Sequence, residues 1–135
     1  MQIPADPDGT LDRVVTSGKL RVGVSVQPPF TTLPPTPDAD PGGSEVDLVN
    51  GFAASLGVEP VWVVGGEEEL VRALEQGEIQ VLIGGLTDKN PHLTSTGTTR
   101  PYVRTPEHGK HVMAVVPGEN ALLFALERYL DGEGR

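Results

Sequence analysis

The side chains with potential for chemistry are few and scattered. Histidines stand at 92, 108 and 111, and "EHGKHV" sets His108 three residues before His111 with Glu107 alongside, a donor set that zinc accepts. At a tight turn entering a strand, His108 and His111 do not share a helix face, so the spacing argues against a metal, and none is expected. "GGEEEL" gathers Glu67, Glu68 and Glu69 at a helix start, where the macrodipole favours negative charge, a simpler reading than a paired-carboxylate active site. Neither "VGGEEE" nor "IGGLT" carries the Lys-Ser/Thr ending of a nucleotide-binding loop. Cysteine is absent, which removes thiolate nucleophiles, disulfides and sulfur-ligated zinc. No Ser-His-Asp arrangement can be assigned, so the chain is expected not to be an enzyme and to carry no cofactor.

Size and charge narrow the remaining classes. At 135 residues the chain makes one domain with one cleft-bearing surface, too short for two full lobes. Ten Lys+Arg against 19 Asp+Glu give a formal charge of -9, which repels nucleic acid and anionic membrane surfaces. No run approaches the roughly 20 apolar residues that span a bilayer, and the N-terminus lacks the basic and apolar segments of a secretory signal. The opening "MQIPADPDGT" is polar and proline-rich. Residues 1–10 read as a flexible tether, either a mature start with Met1 added for expression or a frayed terminus, and 11–135 as the single domain.

The elements that must position any site alternate between strand and helix. A short helix over 11–16 stops at Gly18, and "KLRVGVSV" alternates with period 2 as a strand. "QPPFTTLPPTPDADPGG" holds six prolines and is a long loop. Val46, Leu48, Val49, Phe52, Ala53 and Leu56 recur at helical spacing before Gly57. "VEPVWVV" follows as a strand, with Trp62 read as core. "GGEEELVRALEQG" is a helix and "EIQVLIGGLT" a buried strand of parallel type. "DKNPHLTSTGTTR" is polar, one helical turn and a loop. "PYVR" and "KHVMAVV" are short apolar stretches joined by residues 105–109, and a last helix runs from about Glu119 to Leu130. This order implies right-handed βαβ units in an α/β domain of three layers around a mixed sheet of about five strands.

The stretches "LDRVVTSGKLRVGVSVQPPF", "GSEVDLVNGFAASLGV", "LVRALEQGEIQVLIGGLT" and "TTRPY", with the tail "KHVMAVVPGENALLFALERYL", together resemble the bacterial extracellular solute-binding proteins of the amino-acid-binding, family 3 type. The resemblance implies the lobe architecture of a type II periplasmic binding protein: two α/β lobes joined by hinge strands, with the ligand between them. In such proteins the chain leaves the first lobe after "PY" and returns near the C-terminus. Here departure and return are separated only by residues 105–109, so the second lobe is expected to be absent.

Carried over position by position, the family's ligand-contacting aromatic falls on Gln27, its turn after the third strand on Gly85 and Thr87, a neighbouring threonine on Lys89, and its carboxylate-clamping arginine on His92. Phe30 and Tyr102 border the would-be cleft. Guanidinium offers a carboxylate two parallel donors, imidazole only one, and imidazole is largely neutral at pH 7. Lys89 supplies charge without the fork. Pockets usually bury ~70–90% of a small ligand, so binding by one lobe is expected to be weak or altered. Plainer readings stand beside these: His92 and Lys89 as solvated loop residues, Gly85 and Thr87 as a sharp turn after a buried strand.

The resemblance further implies an extracytoplasmic protein of ABC transporter type, a lipoprotein anchored by lipid, with a polar, amino-acid-like solute and a membrane permease as partners. A second reading makes the domain a protein-interaction module that has lost its ligand, docking to another protein or to a homodimer partner through Phe30 and Tyr102 as exposed apolar surface. Relatives of the fold include dehydratases, but no residues here supply their acid–base chemistry.

Overall fold

Period-2 alternation decides which face of each central strand is buried. The computed structural model describes residues 9–107 and 109–133. In β1 (Lys19–Val24) the side chains of Leu20, Val22 and Val24 enter one apolar layer. In β3 (Val81–Ile83) Val81 and Ile83 join that layer while Leu82 enters the opposite one. Around β7 (Ala114–Val115) Met113 and Val115 face the first layer, and Val112, Ala114 and Val116 the second.

Three helices cover the first face. α1 (Thr10–Ser17) contributes Val14, α2 (Ser44–Leu56) contributes Val46, Val49 and Phe52, and α4 (Asn120–Glu133) contributes Leu122, Leu126 and Leu130. α3 (Glu67–Glu75) covers the other face with Leu70, Val71 and Leu74, helped by Leu93 of the 3-10 turn Pro91–Leu93. Each such side chain stabilises the fold by about 1.5–3 kcal/mol relative to exposure. The result is the three-layer α/β architecture that the sequence implied.

The five-stranded sheet has the order β2-β1-β3-β7-β4, with β2 spanning Glu59–Val64 and β4 spanning Gly97–Thr98. β1 runs parallel to β2 and to β3, whereas β7 is antiparallel to β3 and β4. The chain steps outward from β1 to β2 through α2, then back across β1 to β3 through α3 on the other face, as right-handed crossovers require. The strand order therefore reverses between β1 and β3, and a doubly wound sheet offers its binding crevice outside the carboxyl ends of the strands at such a point.

β5 (Val103–Thr105) and β6 (Gly109–His111) form a separate antiparallel hairpin, Arg104 opposite Lys110. The chain thus turns back between Thr105 and Gly109, the point at which the resemblance places the departure to a second lobe. Residues 1–8 of the expected tether lie outside the described residues. Thr10 already begins α1, and its backbone and hydroxyl both donate to the buried carboxylate Glu119 at the entry to α4.

Some elements differ from the sequence reading. The third strand is shorter than "EIQVLIGGLT" because Gly84 and Gly85 bend the chain out of the sheet immediately after Ile83. "KHVMAVV" divides between β6 and β7, which pair in different sheets. β4 arises inside a polar stretch. Trp62 is only half-buried, because β2 is an edge strand, and its indole Nε1 is buried with no hydrogen-bond partner among the described residues.

Candidate functional site

The reversal point between β1 and β3 is organised around a carboxylate. Glu45, in the first turn of α2, is fully buried. Its Oε1 accepts from the backbone N–H groups of Gly84 (3.0 Å) and Gly85 (2.9 Å), and its Oε2 accepts from the Tyr102 hydroxyl. Burial pushes the Glu45 carboxyl above its ordinary range, opposed by the Gly85 N–H, the Tyr102 hydroxyl, the Gly84 N–H and the nearby His111. Burial and the negative charge of Glu45 likewise push the Tyr102 phenol upward. Nothing in the sequence marked Glu45, since its burial depends on glycines 39 and 40 residues away.

The loop after β1 packs onto this hub. Thr31 Oγ1 accepts from the Gln27 N–H (2.7 Å) and donates to the Ser25 carbonyl (2.6 Å), while the Phe30 ring lies 4.3 Å from the His111 imidazole. A Cβ on Gly85 would come within 2.8 Å of Gln27 Cγ and 3.0 Å of Phe30 Cδ2. Gln27, Phe30, Gly85 and Tyr102 therefore converge. Phe30 corrects the reading of an exposed docking surface: it is 8% exposed and Tyr102 half-buried, because the hairpin residue His111 covers the phenyl ring. Gln27 is exposed at the rim.

Thr87 and Lys89 lie beside this hub in a cleft of 330 Å³, lined also by Asp88, Arg104, Gly109 and Lys110. Its two walls are tied together: Asp88 N–H donates to the Lys110 carbonyl (3.0 Å), and Thr87 bridges to His111. Three cations face one carboxylate here in a chain of charge -9. Among the described residues none of the three forms an ion pair with a carboxylate. Arg104 and Lys110, missed by sequence reasoning, reach the cleft only through the hairpin register; like charges placed directly opposite repel, which an anion would relieve.

His92 stands apart. It lies in the 3-10 turn, its Nδ1 2.7 Å from Glu67 Oε2, and Asn90 also donates to that oxygen (3.1 Å). The histidine is exposed but held against α3. The bond to Glu67 raises the His92 pKa above 6.5. Burial raises Glu67, but the bonds from His92 and Asn90 outweigh it and the carboxyl falls below 4.5. Protonated His92 contributes stability below its unfolded value, lost as pH rises through the folded one. Ionised Glu67 contributes above its unfolded value, lost as pH falls through the depressed one. The pair is thus strongest between pH 4.5 and 6.5. NMR titration of the His92 ring should give a midpoint above 6.5 that Glu67→Gln lowers; an unchanged midpoint would refute the pairing in solution.

Of the candidate zinc donors, His108 lies outside the described residues. His111 is fully buried, its Nε2 2.9 Å from Thr105 Oγ1.

The sequence profile of the bacterial extracellular solute-binding proteins, family 3, matches residues 20–120. The chain belongs to this family. The family 3 domain is 26% identical to the Phe57Trp mutant of the arginine-bound form of domain 1 from TmArgBP, covering 91% of this chain and 97% of that one with a TM-score of 0.81. It is 28% identical over 88 residues to the L-arginine-binding protein of Pseudomonas aeruginosa, 64% of this chain and 33% of that protein. It is 42% identical over 83 residues to the membrane-bound lytic murein transglycosylase F of Maricaulis maris, 61% of this chain and 18% of that protein. The family 3 domain thus spans a third or less of these two relatives' length.

Proposed function

We propose that the domain is an extracytoplasmic solute-binding lobe that holds a small, carboxylate-bearing solute in the cleft between the Thr87–Lys89 turn and the β5–β6 hairpin. The observation that carries this reading is the set of three cations, Lys89, Arg104 and Lys110, that line one cleft with Thr87 and the single carboxylate Asp88 and form no ion pair among the described residues. Membership of a solute-binding family supports it. So does the arginine-bound form of an isolated domain 1 in the matching structure, which weighs against the expectation that a lone lobe binds only weakly. The charge of the cleft favours anionic over cationic solutes. Delivery to an ABC-type permease and attachment by lipid belong to the same proposal. No acid–base pair in the cleft recommends an enzyme, and the burial of Phe30 leaves an interaction module less apolar surface to rest on.

A thermal-shift and calorimetry panel of amino acids, dicarboxylates, polyamines and sugars tests this. A carboxylate-rich solute at 100 times its Kd should stabilise the native state by about 2.7 kcal/mol and raise Tm by several degrees, and Lys89→Ala should remove most of that shift. Stabilisation by arginine or polyamines instead would overturn the anionic assignment.

A further inference from the structure

At the opposite end of the strands lies a second cleft, of 360 Å³, lined by Thr10, Arg13, Val14, Ser17, Lys19, Arg21, Val61, Gly77 and Gln80. We propose that it is a separate binding site for a phosphate group, carried by a small soluble phosphate ester or by a lipid headgroup.

The argument begins with charge. Three of the chain's ten Lys+Arg side chains line this cleft, and among the described residues no carboxylate does. Chance does not favour that in so acidic a chain. Glu59 stands opposite Lys19 in the β1–β2 register, yet among the described residues none of Arg13, Lys19 and Arg21 forms an ion pair. They arrive from two elements fixed by the core: Arg13 precedes the buried Val14 on α1, while Lys19 and Arg21 flank the buried Leu20 on β1. Among the described residues nothing in the cleft compensates their mutual repulsion, and a doubly charged anion does so.

Chemistry selects phosphate. Two guanidinium groups keep their charge at any working pH and present planar forks suited to phosphate oxygens, and the lysine adds a point charge. The floor is built: Gln80 is buried, and its Oε1 accepts from the Arg21 N–H (2.8 Å), which fixes the side chain and leaves its amide NH₂ as a donor. The hydroxyls contribute less, since Thr10 is committed to Glu119 and Ser17 to its own helix end. Val14 and Val61 provide an apolar wall for the rest of a small ligand, and the volume falls in the range of small-molecule sites. This site shares no residue with the solute cleft, so the two stand or fall separately.

The experiment is an NMR titration of the purified protein with inorganic phosphate and glycerol phosphate at constant ionic strength. Saturable shifts should gather at the amides of Arg13, Lys19, Arg21 and Gln80. The double variant R13Q/R21Q should weaken binding tenfold or more, while R72Q, on the exposed side of α3, leaves it unchanged. Sedimentation with phosphatidylglycerol and phosphatidylcholine vesicles separates the sources: co-sedimentation with the anionic vesicles that phosphate displaces identifies a headgroup, and its absence a soluble ester. Linear shifts spread over all basic residues, or equal affinity in R13Q/R21Q, would overturn the site.

Discussion

Glu45→Ala should cost about 4 kcal/mol of stability, and Glu45→Gln about 1. The alanine variant leaves the N–H groups of Gly84 and Gly85 and the Tyr102 hydroxyl without their acceptor. Each donor stranded away from water costs about 1–3 kcal/mol, and a cavity adds to the loss. Glutamine keeps one oxygen for the glycine amides and offers its NH₂ to the phenol oxygen. The pH dependence separates the parent from both variants. Because the folded pKa of Glu45 lies above 4.5, the native state holds its proton more tightly than the unfolded chain. That contribution is complete below 4.5 and is lost as pH rises through the folded value. Urea unfolding across that range should show this slope in the parent and its absence in Glu45→Gln. Equal stability of the alanine variant and the parent would mean that the carboxylate is not the hub described above.

Gly43→Ala should be comparably severe, at about 3 kcal/mol or more. Gly43 precedes α2 with φ at 116°, in the left-handed range, and an added Cβ would sit 2.3 Å from the Phe30 carbonyl oxygen and 2.8 Å from Thr31 Cα. Both neighbours are backbone, so relief requires displacing the loop. That displacement breaks the bonds from Ser44 N–H to Pro29 and from Glu45 N–H to Phe30, and with them the packing of Phe30 on His111. Gly57, with φ at 72° and nothing within 4 Å of the added atom, isolates the conformational cost alone, about 1 kcal/mol for Gly57→Ala. Chemical denaturation of both variants tests the difference. A Gly43→Ala loss no larger than that of Gly57→Ala would show that the loop yields freely.

How much of this was legible depended on whether the information was local. β1, α2 and α3 follow from periodicity, because alternation or helical spacing alone decides which residues are buried. The end of α2 follows from Gly57. By contrast β4 is a strand only because β7 supplies partners for Gly97 and Thr98, and no propensity in "TSTGTTR" reports that. Resemblance placed Gln27, Phe30, Gly85 and Tyr102 around one point, yet the buried acid that organises them and the hairpin cations Arg104 and Lys110 needed the tertiary arrangement. Phe30 was misjudged for the same reason: "PPF" within a proline-rich loop reads as surface until His111 arrives from 81 positions away to cover it.

The bond between Thr10 and Glu119 joins groups 109 residues apart, and β3 lies between β1, from early in the chain, and β7, from late in it. Formation of the native sheet must therefore close large loops before long-range pairing rewards them, a topology associated with slow folding. During synthesis β1, β2 and β3 emerge with one flank of β3 unpaired until β7 leaves the ribosome. At that stage the nascent chain presents an open strand edge on which another chain could pair.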